Sequence, residues 1–200
     1  MLCGLCAGCA GIPPVVGLSP RAPDSAEEQT YQTVLEHYTG RAELYGLFDT
    51  HMFAAATLQS WPFREERVRH AALFKSEPPE VVEAHRAEER AKFDESIELF
   101  MGAYLTDYHY DDFDKHDSVW RIALATNEGE VRPLSIQRVG RASYDLRGYY
   151  PYLGDYWTGY RVRFPKTFPS GAAVVGPNTT QVTLKVSSTL GQATITLPAQ

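Results

Sequence analysis

Cysteine carries the most reactive side chain in this 200-residue sequence, and its three copies, Cys3, Cys6 and Cys9, all fall in the first nine positions. The C-x-x-C-x-x-C spacing suits thiolate ligation, but a zinc or iron–sulfur site takes about four ligands. The next imidazole, His37, lies beyond a proline-rich stretch. Disulfides inside so short a segment would close tiny loops and staple nothing to a folded body. The thiols are therefore not expected to serve the folded part of the chain.

The densest polar cluster is DYHYDDFDKHD at 107–117, with Asp107, His109, Asp111, Asp112, Asp114, His116 and Asp117. Oxygen-rich groups suit calcium, and Asp112, Asp114 and His116 at alternate positions can converge in a loop. The segment lacks the Gly and the closing Glu of an EF-hand, and Asp is common where a helix gives way to a strand. A solvated connector is the expected role, with Asp107, His109, Asp112, Asp114 and His116 as weak metal candidates. The second cluster is aromatic, and Tyr149, Tyr150, Tyr152, Tyr156, Trp157 and Tyr160 are its candidate binding residues. Exposed rings offer large contact area with a polar handle. The competing reading is packing, since Tyr favours strands and Pro151, Gly154 and Gly159 suggest rings that pin an irregular loop. No G-x-S-x-G elbow or P-loop is present, and His85 with Glu88 and Glu89 lacks the second His of H-E-x-x-H. No catalytic residue and no cofactor is assigned, and a non-enzymatic role is expected.

These groups need elements to hold them. A composition of 44% hydrophobic and 22% charged residues indicates an ordinary globular core. The net charge of -6, with dispersed Lys and Arg, argues against nucleic acid as a partner. Ser25 followed by Glu28 forms a capping box. The apolar positions Tyr31, Val34, Leu35, Tyr38, Tyr45, Phe48, Met52 and Phe53 recur at threes and fours, which predicts one long amphipathic helix ending at "SWPF". A short charged helix follows. A further long one is predicted from Pro79, with Val82, Phe93, Ile97, Phe100 and Tyr104 on its inner face; Glu88 and Lys92 are an i,i+4 pair on its solvated side. Beyond about residue 104 the pattern alternates: "SVWRIALAT", "VRPLSIQRV", "TGYRVRFP" and "QVTLKVSSTLGQATITLP" read as short strands. The expected fold class is α+β: long N-terminal amphipathic helices (25–105), then a C-terminal antiparallel immunoglobulin-like β-sandwich of roughly seven strands (106–200).

The run "LCAGC" resembles a bacterial lipobox, in which small residues precede a Cys that is cleaved to and lipidated. The resemblance makes Cys9 the acceptor, with Ala7 and Gly8 in the small positions and Cys6 where Leu or Val is commoner. "MLCGL" supplies neither the positive start nor the full apolar stretch of a signal peptide, which implies an earlier start. Segment 1–9 is thus read as a signal remnant and the proline-rich segment 10–24 as a tether, reaching up to about 45 Å at about 3.1 Å per residue. With the landmarks Trp120, Pro133, Pro151, Trp157 and Phe164, the chain resembles functionally uncharacterised lipoproteins of Gram-negative bacteria in which helices precede a small sandwich. That resemblance implies a lipid-anchored, periplasm-facing protein, at the outer membrane because Ala10 is not Asp, with the membrane and an envelope protein as partners. Its implied role is structural or partner-binding. The alternative is a periplasmic ligand- or metal-binding, even catalytic, domain built on 107–117.

Overall fold

Tyr31 and Leu35 are fully buried on the first helix, yet the helix itself ends at His37, far short of the run expected. In the computed structural model, which describes residues 25–46 and 49–199, the chain begins with α1 (Ala26–His37) and turns at once into β1 (Thr39–Tyr45) and β2 (Thr50–Leu58). Then come α2 (Trp61–Lys75), α3 (Pro79–Glu95) and β3 (Ile97–Leu105). The rest supplies β4 (Arg121–Thr126), β5 (Gly129–Val131), β6 (Ser135–Arg141), the short α4 (Tyr144–Tyr149), β7 (Thr158–Phe164), β8 (Gln181–Ser188) and β9 (Gly191–Pro198). The lipobox-like run with Cys9, the 10–24 tether and Phe48 lie outside the described residues.

The expected class of long N-terminal helices preceding an immunoglobulin-like sandwich is overturned. Nine strands form two antiparallel sheets among the described residues, ordered β1-β2-β3-β7-β6 and β5-β4-β8-β9. Three of the five strands in the larger sheet come from the region read as helical. The error has a physical source. Threes and fours in "YTGRAELYGLFDTHMFAAATL" coincide with alternation, and Ala54, Ala55 and Ala56 carry the highest intrinsic helix propensity. Tertiary burial overrides that propensity, because Met52, Ala54, Ala56 and Leu58 face the other sheet while Ala55 and Thr57 are buried on the opposite face, where Thr57 meets the Tyr152 hydroxyl at 2.9 Å. "IELFMGAYL" fails as a helix for the same reason: β3 is the middle strand of five, buried on both faces, and reads as one apolar run. "SWPF" starts α2 instead of ending α1, with Ser60 Oγ accepting from Phe63 N at 3.4 Å and Pro62 in the first turn, where its missing N–H is not needed.

Strands β4, β7, β8 and β9 run where alternation puts them, and Tyr160, Val162 and Phe164 face inward as the pattern requires. "VRPLSIQRV", read as one strand, is divided at Pro133: Val131 ends β5 in the smaller sheet, and β6 begins at Ser135 in the larger one. The main core lies between the two sheets, built on Met52, Leu99, Met101, Val162, Leu184 and Ile195. A second core lies on the outer face of the larger sheet, where Tyr31, Leu35, Phe63, Phe100, Tyr150 and Leu153 meet under α1 and α2. Gly102 and Gly159 are direct cross-strand partners on that face, and together they make a trough. A Cβ on Gly159 would sit 2.8 Å from Phe100 Cζ, and one on Gly102 would collide with Leu153 Cδ2. The trough is what lets the 150–157 loop lie flat on the sheet.

Candidate functional site

Glu98 is the one charged residue in β3, and it points to the helical side of the sheet, 8% exposed. Above it α2 presents Arg64 and Arg67, whose three-residue spacing places both on the buried face. Helix α3 contains no fully buried residue; it reaches inward through Glu89. Arg64, 1% exposed, donates through Nε to Gln59 O at 3.0 Å and through Nη1 to Glu89 Oε2 at 2.5 Å. Its Nη2 lies 3.5 Å from Glu98 Oε2 and makes no hydrogen bond. Arg67 donates to the same Glu89 oxygen at 2.5 Å, to Gln59 Oε1 at 2.9 Å and to the Tyr150 hydroxyl at 3.2 Å. Lys92 Nζ at 3.0 Å from Glu89 Oε1 and Arg161 Nε at 3.1 Å from Glu98 Oε1 complete the network. Charge, more than apolar area, therefore fastens α3 to α2, helped by Arg86 Nη2 donating to Glu65 Oε1 at 2.6 Å.

Over this network opens a cleft of about 310 Å³, lined by Arg67, Lys75, His85, Glu89, Tyr149 and Arg161 among others. Its floor is preorganised, since each charged group beneath it is already held by a partner. Comparison with protein-family models, curated proteins and solved structures found no match. The chemistry of the site thus stands on its own geometry: fixed guanidinium, carboxylate and phenol groups that can complement a polar surface.

The electrostatics follow from burial and pairing. Burial opposes the charge on Glu89, yet Arg67, Lys92 and Arg64 hold its carboxyl down to about 2, against an ordinary value of 4.5. Burial likewise opposes the charge on Arg67, and Tyr150 and Glu89 more than restore it, holding the guanidinium above its ordinary range. A carboxyl lowered on folding stabilises the protein above its unfolded value, and that contribution drains away as pH falls through the folded value. Glu89 is therefore expected to contribute on the order of 2–3 kcal/mol at neutral pH, lost between about pH 4.5 and about pH 2. Thermal unfolding of wild type and Glu89→Gln should show a gap that closes across that window; a gap constant with pH would rule the assignment out.

The aromatic candidates do not form one exposed face. Tyr160 is fully buried between the sheets, Tyr150 is buried and stacks on Phe100 at 3.8 Å, and Tyr149, Tyr152 and Trp157 are half-buried against the second core. Only Tyr156 among them is well exposed, at 74%. Packing thus takes up most of this cluster, and its contributions to the cleft are Tyr149 and Tyr150. Tyr31 helps to fix the loop, its hydroxyl donating to Tyr149 O at 2.7 Å.

The acidic segment is spread out. Asp107 accepts from the exposed His109 next to it, Asp112 accepts from Ser118 Oγ at 2.9 Å, and His116 lies in solvent. Asp114 is half-buried, with Oδ1 unpaired. Among the described residues no three His, Cys, Asp or Glu side chains are grouped to hold a metal ion. Asp111, set aside in the choice of metal candidates, is the organising residue: it accepts from Tyr160 OH at 2.6 Å, Thr158 Oγ1 at 2.7 Å and Arg138 Nη2 at 2.7 Å. Sequence reasoning also missed Gln59, Arg64, Arg67, Glu89 and Glu98. Only Glu98 left a signal, as a lone charge in an apolar run.

Proposed function

We propose that this chain is a lipid-anchored module of the bacterial cell envelope, held at the outer membrane through Cys9, whose folded body docks an envelope protein at the cleft over Arg67, Glu89 and Tyr150. The lipobox-like run and the prolines of 10–24 support the anchor. The observation that carries the docking reading is the prearranged charge floor of the cleft. Its lining mixes Arg67, Lys75 and Arg161 with Glu77, Glu88, Glu89 and Glu98, so it suits a protein surface bearing both signs rather than a polyanion.

The experiment is expression in a Gram-negative host from the full locus, with a photo-crosslinking residue at His85 on the cleft rim or at Thr194 on the outer face of β9. A diacylglycerol-type mass gain on Cys9, abolished in Cys9→Ser, is expected, together with an envelope crosslink from position 85 and none from 194. An unmodified protein in the soluble fraction would remove the anchor. Equal crosslinking from both positions would remove the cleft.

A further inference from the structure

A second opening, of about 480 Å³, lies between the start of α2, the end of α3 and the segment that follows β7. Leu58, Ile97, Ala173 and Val175 line its apolar interior, while Trp61 and Phe93 form an aromatic wall with ring centroids 6.0 Å apart. Its polar groups are nearly all committed. Gln59 is held by Arg67 and by its own bond to Thr57 O at 3.2 Å; Ser60 caps α2; Ser96 Oγ accepts from Arg163 at 3.1 Å; and Glu98 faces Arg64 and Arg161. The exceptions are the neutral Thr167, which makes no side-chain hydrogen bond among the described residues, and the charged Lys166. Its Nζ rests 4.3 Å from the centroid of the Phe93 ring and has no carboxylate partner among the described residues. The neighbouring Arg90, by contrast, stacks on Trp61 but is tied to Asp94 at 3.1 Å.

We propose that this groove binds a single unbranched acyl chain with a compact anionic head, as in a free fatty acid, the chain lying along Ile97 and Val175 and the carboxylate meeting Lys166. An apolar trough of this volume with a few polar groups, one of them an uncommitted cation, is the usual form of a lipid or small-molecule site. One ammonium at its mouth, with no carboxylate partner among the described residues, matches one negative charge. The segment carrying Lys166 is braced, with Val174 N donating to Lys166 O at 2.8 Å and Phe168 N to Ala172 O at 2.8 Å, so the cation is held at the opening.

The test is calorimetric titration of the full chain, below the micellar range, with dodecanoate, dodecanol and a single-chain lysophosphatidylglycerol. Saturable binding of dodecanoate in the range of roughly 1–100 µM is expected, with dodecanol about tenfold weaker. Lys166→Ala should bring dodecanoate down to the level of dodecanol and lower the unfolding midpoint by only a few degrees, because what is lost is the contact with the Phe93 ring and no ion pair among the described residues. Ala173→Trp, which fills the groove, should abolish binding. Lysophosphatidylglycerol bound more tightly than dodecanoate would support the site with a membrane lipid as its source; dodecanoate bound more tightly would support the free acid. No saturable heat with any of the three, equal affinity for acid and alcohol in the wild type, or binding that survives Ala173→Trp would overturn the proposal. Should the tryptophan variant fail to fold, Lys166→Ala decides alone.

Discussion

Replacing Arg64 by alanine is expected to lower the unfolding free energy by about 3–5 kcal/mol, the usual consequence of stripping one partner from a buried ion network. Glu89 would keep Arg67 and Lys92, but Glu98, at 8% exposure, would be left facing Arg161 alone, and the Gln59 carbonyl would lose its donor. At about 2–4 °C per kcal/mol for a domain of this size, the midpoint should fall by roughly 10 °C. Arg64→Met separates charge from packing, since it retains most of the buried stem. Adding Glu98→Gln to Arg64→Met should recover part of the loss, because the stranded charge is then gone. Urea unfolding of the set measures this. A loss under about 1 kcal/mol for Arg64→Ala would mean the network behaves like a surface ion pair, as exposed pairs do, and the picture of a rigid cleft floor would fail with it.

The second large effect is expected at Asp111, away from the cleft. Asp111→Ala removes the acceptor of the fully buried Tyr160 hydroxyl, of Thr158 Oγ1 and of Arg138. Buried hydroxyls left without an acceptor cost about 1–3 kcal/mol each, so a total loss of about 3–4 kcal/mol is expected. Tyr160→Phe in the Asp111→Ala background should return some of it, because the orphaned hydroxyl disappears. The same unfolding assay reads the pair, and a double variant no more stable than Asp111→Ala alone would show that Tyr160 keeps its hydroxyl satisfied elsewhere. The acidic segment thus gains a structural explanation: one of its carboxylates ties the 107–117 connector to β6 and β7.

The legible parts of this chain were those in which local rules and tertiary demands agree. Ser25 caps α1, its Oγ accepting from Glu28 N at 3.1 Å, although the Glu28 side chain turns to Gln32 and His70 instead of completing the box. The strands β7, β8 and β9 have one face in the core and one toward polar surroundings, so period-two alternation names them. β2 and β3 are covered on both faces over most of their length, so apart from Thr50, His51, Thr57 and Glu98 they carry no polar residues to mark a period. The aromatic cluster was visible as a cluster, but whether rings pack or bind depends on what covers them; the Gly102–Gly159 trough and α1 cover most of these.

By itself, the amino-acid sequence determined the start of α1 and most of the alternating strands of the second half, because each rests on neighbours within a few residues. Only the tertiary structure decided that region 25–105 completes a sandwich, and that Arg64, Arg67, Glu89 and Glu98 converge. The reason is distance along the chain: a carboxylate on α3 and a guanidinium on α2 look like any solvated pair of charges until the fold buries them together, and burial is what turns them from surface ornament into a fixed electrostatic floor.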